Sequence, residues 1–433
     1  MSPKDPLLSA LKVCILSLTS EGGVTDSNPQ LSSCCQLLEL IFRKGLQQPV
    51  LALVHRDYWH CLEQLPQLDS CGRLSPISLA LEQTSACKKL LTPQGKGRYF
   101  LRLALKRRIL GSVVQHLLHT TRLLEWYSPT VSILRNEEFL EPFLSLLLVL
   151  TEMEFKLEVE NCSFLDESWL LPVCEVYELV PCRELGMVLR YLGGRVFVLD
   201  LIEGSQAQVD RFVLPGDIID EINGVSLRNA SNGQAGVVLA RFKGSPLSLR
   251  VLRWRADDGA VYQPVVKLLQ ALKQENPSLQ LISRPQQQCR GALHGEQSQC
   301  LNEGRIVYIV QLLGKANIGM YGGKEVLQHG IPLVLEQNQP SKTVLLDLKE
   351  THVTCTEKST KLELFQHHYP EISCVGRYSQ PDHTIFAFCV VDCPETHQTA
   401  GFCCIVLQAS STQECEEIVS RIVTGFKHTE WFV

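Results

Sequence analysis

Glycine–lysine pairs and closely spaced histidines are the residues of this sequence most suited to binding phosphate or a metal ion. A P-loop needs a further glycine five residues before its Gly-Lys pair, because the backbone amides between them wrap the phosphate. Gly95, Gly314 and Gly323 are each followed by lysine and lack that upstream glycine. His116 and His119 lie in a leucine-rich stretch, where histidines pack or face solvent more often than they bind metal. We therefore predict no nucleotide site, no metal site and no cofactor.

Motifs for covalent and acid–base catalysis are also missing from the sequence. It contains no G-x-S-x-G elbow and no H-E-x-x-H pair, and its carboxylates show no spacing typical of a paired acid and base. The 18 cysteines include no C-x-x-C knuckle, which zinc sites normally use. We predict that the protein is not an enzyme and that its cysteines are small buried residues of a reducing compartment.

Length and composition predict several ordinary globular domains. The chain has 433 residues, more than one compact core needs, and 45% hydrophobic with 20% charged residues is typical of folded proteins. The net charge of −5 disfavours a nucleic-acid partner. No apolar run approaches the roughly 20 residues that span a bilayer, and Lys12 and Ser17 interrupt the first one. We expect a cytoplasmic protein that reaches vesicles or the plasma membrane only indirectly, through its partners.

Hydrophobic spacing divides the chain into a helical part and a strand-rich part. From Pro6 to about Trp169 apolar residues recur every three or four positions, and one long helix is predicted from Tyr99 to Leu118. From about Val173 short runs of Val, Leu and Tyr alternate with glycine turns, as in strands. A polar Gln-rich stretch follows, in which Val265 to Leu272 could form a short helix, and then come further strands from Ile306 and a closing helix. The predicted fold class is multidomain, with an all-α domain followed by β-rich domains.

The first strands carry a glycine loop and a signature stretch that resemble those of PDZ domains. Glu184-Leu185-Gly186-Met187 is followed by a strand and Gly193-Gly194, and Leu214 to Val225 is close to the family signature. The resemblance covers about Val173 to Arg255. It implies a loop whose amides bind a peptide carboxylate, a strand that pairs with the peptide, and an apolar pocket for the last residue. The implied binding residues are Leu185, Gly186, Met187, Val188, Asn232, Gly236 and Leu239.

Part of the helical region resembles the RUN family. The residues concerned are Gly95-Lys96-Gly97-Arg98 leading into Leu101 to Leu105, then Trp126-Tyr127 and Leu157 to Trp169. The resemblance spans about Leu7 to Trp169. It implies that this region docks small GTPases of the Rab or Rap type, or motor and trafficking proteins.

Three basic residues form one stripe on the predicted long helix. Arg98, Arg102 and Lys106 are four positions apart, so they lie on the same helix face. One interpretation is a docking surface for an acidic partner. The alternatives are a solvated face, or guanidinium groups of Arg98 and Arg102 that fork to carboxylates of the fold itself.

The C-terminal part resembles PTB domains, which share the fold of pleckstrin-homology domains. The similar stretches are His367 to Arg377, Phe386 to Phe388 and Phe402 to Ala409, before a helix that ends at Phe426. The resemblance implies a β-sandwich closed by one helix, which binds N-P-x-Y-like peptides without a phosphate. We expect the peptide to add to the strand Phe402 to Gln408. The implied contacts are Phe402, Cys404, Val406, Ile422 and Phe426.

The predicted domain order is a RUN-like helical domain over residues 1–172, a PDZ domain over 173–255, a polar linker over 256–300 and a PTB-like domain over 301–433. This order favours a non-enzymatic adaptor that couples a small GTPase or trafficking partner to the peptide motifs of other proteins. One alternative is a regulator of small-GTPase nucleotide turnover. Another is a purely structural pairing of the two β-rich domains.

The final residues, Glu430 to Val433, have the form of a ligand that such a PDZ groove accepts. Val433 would enter the apolar pocket, with Trp431 two positions earlier. We hypothesise that this tail binds the PDZ domain of its own chain or of a second copy. The alternative is that Trp431 packs on the core of the PTB-like domain.

Overall fold

The structure, a computed structural model, divides the chain into two compact units, Met1–Pro172 and Val173–Val433. Helices fill the first unit and strands dominate the second, which confirms a multidomain chain with a helical region before sheet-rich regions. The residues that the structure describes are 5–18, 23–49, 55–68, 75–182, 184–256, 259–277, 279, 281, 299–302, 305–319, 325–378, 382–392 and 401–429.

The helical unit packs short helices around one apolar core. Its elements are α1 (Pro6–Leu18), β1 (Val24–Thr25), α2 (Leu31–Arg43), α3 (Tyr58–Glu63), α4 (Leu65–Leu68), α5 (Ser75–Ala86), α6 (Pro93–Lys106), α7 (Leu110–His119), α8 (Thr121–Leu124), α9 (Glu137–Glu152) and β2 (Phe155–Lys156). Apolar residues at helical spacing face the core, and in α1 these are Leu8, Leu11, Ile15 and Leu18.

The predicted long helix from Tyr99 to Leu118 is wrong, because α6 and α7 are separate helices. The amide of Ile109 donates to the carbonyl of Ala104 at 2.9 Å and that of Arg108 to Leu105 at 3.0 Å, which is the Schellman arrangement that ends helices. Arg108 has a φ of 56° at the position that usually takes glycine, so the sequence shows no stop signal there. The unit is also not purely helical, since β1 and β2 pair in parallel.

The second unit begins with an antiparallel sheet. Its elements are β3 (Cys174–Leu179), β4 (Met187–Leu192), β5 (Arg195–Leu201), α10 (Gln206–Asp210), β6 (Ile218–Ile222), β7 (Val225–Ser226), α11 (Gln234–Arg241) and β8 (Leu247–Leu252). The strands lie in the order β3-β8-β6-β5-β4, and β7 pairs with β6. Among the described strands β4 therefore forms an edge, with one side available for pairing.

Helix α12 (Val266–Glu275) lies in the segment that composition assigns to a linker. Leu269 and Leu272 of this helix are buried, and so is Val265 just before it. This helix confirms the short helix allowed by the sequence near Val265 to Leu272, and residues 256–300 are therefore not an exposed linker throughout. The glutamine run that motivated the expectation lies outside the described residues.

The rest of the second unit is a larger antiparallel sheet with a helix on each face. Its elements are β9 (Gln299–Asn302), β10 (Arg305–Asn317), α13 (Glu325–Glu336), β11 (Lys342–Leu348), β12 (His352–Glu357), β13 (Glu363–His368), β14 (Ile372–Arg377), β15 (Ile385–Asp392), β16 (Gly401–Gln408) and α14 (Thr412–Thr429). The strand order is β13-β12-β11-β10-β16-β15-β14, and β9 pairs with β10. Alternate residues of β16 face opposite sides: Cys404 and Val406 pack with α13, whereas Ile405 and Leu407 pack with α14.

Candidate functional site

An amide loop, defined as residues 184–187, leads into the edge strand β4. The carbonyls of Glu184 and Leu185 accept hydrogen bonds from the first two amides of α10, each at 3.0 Å. The carbonyl of Gly186 accepts from the amide of Ile202 at 2.8 Å. Three successive carbonyls are therefore held on one side of the loop.

The amides of this loop point away from α10. In a trans peptide the carbonyl and the following amide point in opposite directions, so anchoring the three carbonyls turns out the amides of Leu185, Gly186 and Met187. Within the described part of the chain, no acceptor contacts the amides of Leu185 and Gly186. Several amides that converge in this way form a cradle for an anion.

Glycine is required at position 186 for two separate reasons. Its φ of 66° lies in the left-handed region, which other residues rarely adopt. A Cβ atom at this position would also overlap the side chain of Ser205. The loop can therefore approach α10 closely only with Gly186 in place.

Strand β4 and helix α11 lie side by side next to the amide loop. Leu185, Met187 and Leu239 are partly buried and pack against the same apolar core. The Ala235 amide in the first turn of α11 donates to the Tyr191 hydroxyl of β4 at 2.9 Å, which holds the helix against the strand. The predicted pocket residues therefore share one side of the sheet.

The other predicted PDZ contacts are accessible to solvent. Val188 on β4 is 39% exposed, and Asn232 and Gly236 are exposed as well. Helix α11 begins at Gln234 after Gly233, which has a φ of 83°. Asn232 therefore lies two positions before the first residue of the helix.

The predicted peptide strand of the larger sheet is an interior strand. β16 pairs with β10 on one side and with β15 on the other, so its backbone has no side left for an added peptide. The prediction that a peptide adds beside Phe402, Cys404 and Val406 is wrong for this reason. Ile422 is fully buried in the core, and the side chain of Phe426 lies outside the described residues.

The edge of this sheet that adjoins α14 is β14. Among the described strands β14 pairs with β15 alone, and α14 packs beside it. Ile372 of β14 and Ile418 of α14 belong to the same buried core. Among the described strands, the backbone of β14 thus has one side without a partner strand.

The basic stripe of α6 holds a later segment of the helical unit, residues 157–165. Arg98, Arg102 and Lys106 each donate to a backbone carbonyl of that segment, at 3.1, 3.0 and 2.9 Å respectively. Arg102 also pairs with Asp26 at 2.6 Å. Arg98 is 9% exposed and Arg102 only 2%. The docking-surface interpretation is therefore wrong for both arginines, and their guanidinium groups belong to the fold; Lys106 remains exposed.

Glu39 of α2 is the carboxylate at the centre of this network. Its Oε1 lies 3.1 Å from Arg98 Nε and 2.9 Å from Arg43 Nη1. The Trp169 indole donates to the other carboxylate oxygen. Burying a carboxylate without such partners is costly, so the network fixes α2, α6 and the segment after β2 to one another.

Two thiols of the helical unit lie close together. The Sγ atoms of Cys87 and Cys162 are 3.7 Å apart. The hydrogen bond with Cys162 lowers the pKa of Cys87 to about 7, helped by the amides and the positive charge of the adjacent Lys89. Cys61 differs, because burial raises its pKa to about 12.

Alkylation of Cys87 is expected to rise with pH around a midpoint near 7, instead of the roughly 8.5 of an ordinary thiol, because only the thiolate reacts. Iodoacetamide labelling followed by peptide mass spectrometry measures this midpoint. Cys162→Ala removes the hydrogen bond and should shift it upward. A midpoint that is near 8.5 in both proteins would contradict the lowered pKa.

The remaining predictions concern the C-terminal tail, membrane spans and metal ions. Trp431 and Val433 lie outside the described residues, and so does the proposed tail ligand. The described helices include none that is long and apolar enough to cross a membrane. The described residues also contain no cluster of three His, Cys, Asp or Glu side chains suited to a metal ion.

The helical unit contains a RUN domain. Residues 33–161 match the RUN domain family model, which confirms the resemblance stated from the sequence. This chain is 33% identical over 151 residues to RUN and FYVE domain-containing protein 4 of Homo sapiens, and 33% identical over 149 residues to the protein of that name from Mus musculus. Each match covers 34% of this chain and 25% of the relative. The chain thus spans about a quarter of the length of these relatives.

Proposed function

We propose that the chain is a non-enzymatic adaptor whose second unit captures peptide C termini in the groove between β4 and α11. The amide loop carries this proposal, because α10 and Ile202 fix three carbonyls and so turn three amides outward. Residues 173–255 then form a PDZ domain. An edge strand with a helix held beside it supports this assignment.

The chemistry of the groove selects the ligand. Converging amides suit a carboxylate, since charge-assisted hydrogen bonds replace its hydration. The residues before the carboxylate add to β4 as a strand. Leu185, Met187 and Leu239 favour an apolar last residue. Asn232 brings no imidazole to a Ser or Thr hydroxyl, so we expect an apolar residue two positions before the end.

Blocking the carboxylate of a ligand tests this proposal. Random heptapeptides with unblocked C termini are selected against the full chain, and the best binder is compared as acid and amide by fluorescence anisotropy. We expect amidation to lower the affinity at least about tenfold, since each hydrogen bond to a charged group contributes roughly 1.5–3 kcal/mol. Leu239→Ala should weaken binding, whereas Val237→Ala, on an exposed position of α11, should not. No binder, or one indifferent to amidation, would contradict the proposal.

A second peptide site is proposed at the edge strand β14, with residues 301–433 as a PTB-like domain. This proposal replaces the interior strand β16 as the docking strand. The packing of α14 beside an edge strand favours it, because an added peptide would gain backbone hydrogen bonds on one side and side-chain contacts on the other. The ligand proposed from the sequence, an N-P-x-Y-like peptide without phosphate, is retained.

The RUN domain is proposed to dock a small GTPase of the Rab or Rap type or a trafficking protein. Of the basic residues on and near the stripe, Lys88, Lys106, Arg107 and Arg108 are exposed and could meet an acidic partner, whereas Arg98 and Arg102 are buried. A turnover assay with candidate GTPases separates an adaptor, which leaves the hydrolysis rate unchanged, from a regulator.

Three modest binding sites on one chain suit an adaptor, because linkage raises overall affinity through effective concentration. We propose that the protein acts in the cytoplasm and reaches vesicles or the plasma membrane only through its partners.

A further inference from the structure

Helix α14 contacts the chain segment that enters the amide loop. The thiol of Cys182, two residues before the loop, donates to Glu417 Oε1 at 2.7 Å. The hydroxyl of Ser420, one turn further along α14, donates to the Cys182 carbonyl at 3.4 Å. A helix of the larger sheet thus holds the entry to a loop of the smaller one.

The same helix face also holds α10, which lies behind the amide loop. Arg421 of α14 forms an ion pair with Asp210, the last residue of α10, and its Nε lies 3.1 Å from Glu417 Oε1. All three side chains are buried. Removing one member of such a group leaves a buried charge without compensation, so the arrangement resists separation.

Cys182 and α10, the two parts of the chain that α14 contacts, are also joined to each other by hydrogen bonds that orient the loop. Gln206 at the start of α10 accepts from the Cys182 amide at 3.3 Å and donates to the Val180 carbonyl at 3.2 Å. The backbone amide of Gln206 donates to the Glu184 carbonyl. A shift of α10 or of Cys182 would therefore turn the loop carbonyls, and with them the amides.

We propose that α14 positions the amide loop, so that recognition of a peptide carboxylate depends on Glu417 and Arg421. Both are positioning residues, because they are buried and beyond the reach of a ligand. This inference rests on the proposed function of the groove. It implies a form of regulation: the smaller sheet has its full affinity for peptides only while α14 keeps its contacts with Cys182 and Asp210.

A merely structural role for these residues would have a different consequence. Loosening the unit without turning the loop would weaken acid and amide peptides by the same factor. A positioning role weakens the acid alone, because the amide form makes little use of the amide loop. The ratio of the two affinities is therefore the diagnostic quantity.

The test compares two neighbouring glutamates of α14 in the full chain, with the selected heptapeptide as acid and amide. We expect Glu417→Ala to weaken the acid peptide roughly tenfold, within the usual range of coupling between sites, and the amide peptide by less than about twofold. Glu417→Gln keeps an oxygen acceptor for the Cys182 thiol and should restore most of the affinity. Glu416→Ala, at a side chain that is 62% exposed, should change nothing.

Cys182→Ala covers the case in which Glu417→Ala does not fold, because it removes the thiol contact with Glu417 and leaves the buried group of Glu417, Arg421 and Asp210 intact. Hydrogen exchange supplies a second readout that needs no peptide: the amides of Ile202, Gln206 and Ala207, which donate to the loop carbonyls, should exchange faster in both variants than in Glu416→Ala. Unchanged exchange together with an unchanged ratio of acid to amide affinity would overturn the inference. Faster exchange in a protein that selects no peptide would refute the proposed groove and leave the positioning contact standing.

Discussion

Replacing Arg98 by methionine is expected to lower the free energy of unfolding of the helical unit by about 3 kcal/mol, the lower end for breaking a buried ion pair. Methionine keeps much of the side-chain length and removes the charge, so Glu39 loses one partner while its own side chain is only 3% exposed. Arg43 and the Trp169 indole still contact the carboxylate, which limits the loss. Hydrogen exchange of peptides from this unit, measured as urea is raised, gives the change.

Lys106→Met is the matched control on the same helix. Lys106 is exposed and makes one hydrogen bond to a carbonyl, so its loss should change stability by less than about 0.5 kcal/mol. If Arg98→Met were equally harmless, the arginine would not belong to the fold and the docking-surface interpretation would return.

The stripe shows which part of a site the sequence can predict. Because Arg98, Arg102 and Lys106 are four positions apart, the sequence places them on one helix face. In the structure all three contact the same segment, residues 157–165. Spacing does not tell what covers that face. The covering segment lies 67 positions away from Arg98 along the chain, and no local pattern reports a contact of that kind.

The prediction that a peptide adds to the strand Phe402 to Gln408 is wrong for a related reason. The run from Phe402 to Gln408 is apolar enough for a central strand, and β16 is central. Whether a strand lies inside or at an edge depends on the strand order, which is set by pairings far apart in sequence. In β14 Ile372 is buried and Ser373 and Arg377 are exposed, and this mixed pattern does not distinguish an edge strand from an inner strand with one solvated face.

The turn at Gly186, which has a φ of 66°, has a local signal in the sequence. A glycine between apolar residues, followed by a strand, specifies the turn by itself. What the sequence could not supply is the cause of the amide orientation. That cause is α10, about 20 residues later, because its first two amides donate hydrogen bonds to the carbonyls of Glu184 and Leu185.

Gly186→Ala is expected to reduce the affinity of the full chain for the selected acid peptide by about a hundredfold or more. The methyl group would overlap Ser205, so the loop must move away from α10 and its carbonyls lose their donors. Losing two or more hydrogen bonds to a charged ligand, at roughly 1.5–3 kcal/mol each, gives an effect of that size. Fluorescence anisotropy with the acid and amide peptides measures it, and the amide should be affected much less.

Gly204→Ala separates this effect from backbone strain alone. Gly204 also has a left-handed φ, of 73°, and a Cβ there would meet nothing within 4 Å. Strain without overlap should cost about 1 kcal/mol of stability and leave peptide affinity within about twofold, since that cost falls on folding and not on the loop amides. Equal losses of affinity in the two variants would mean that strain anywhere near α10 disables the groove. In that case the close approach of the loop to Ser205 would not be what turns the three amides toward the peptide.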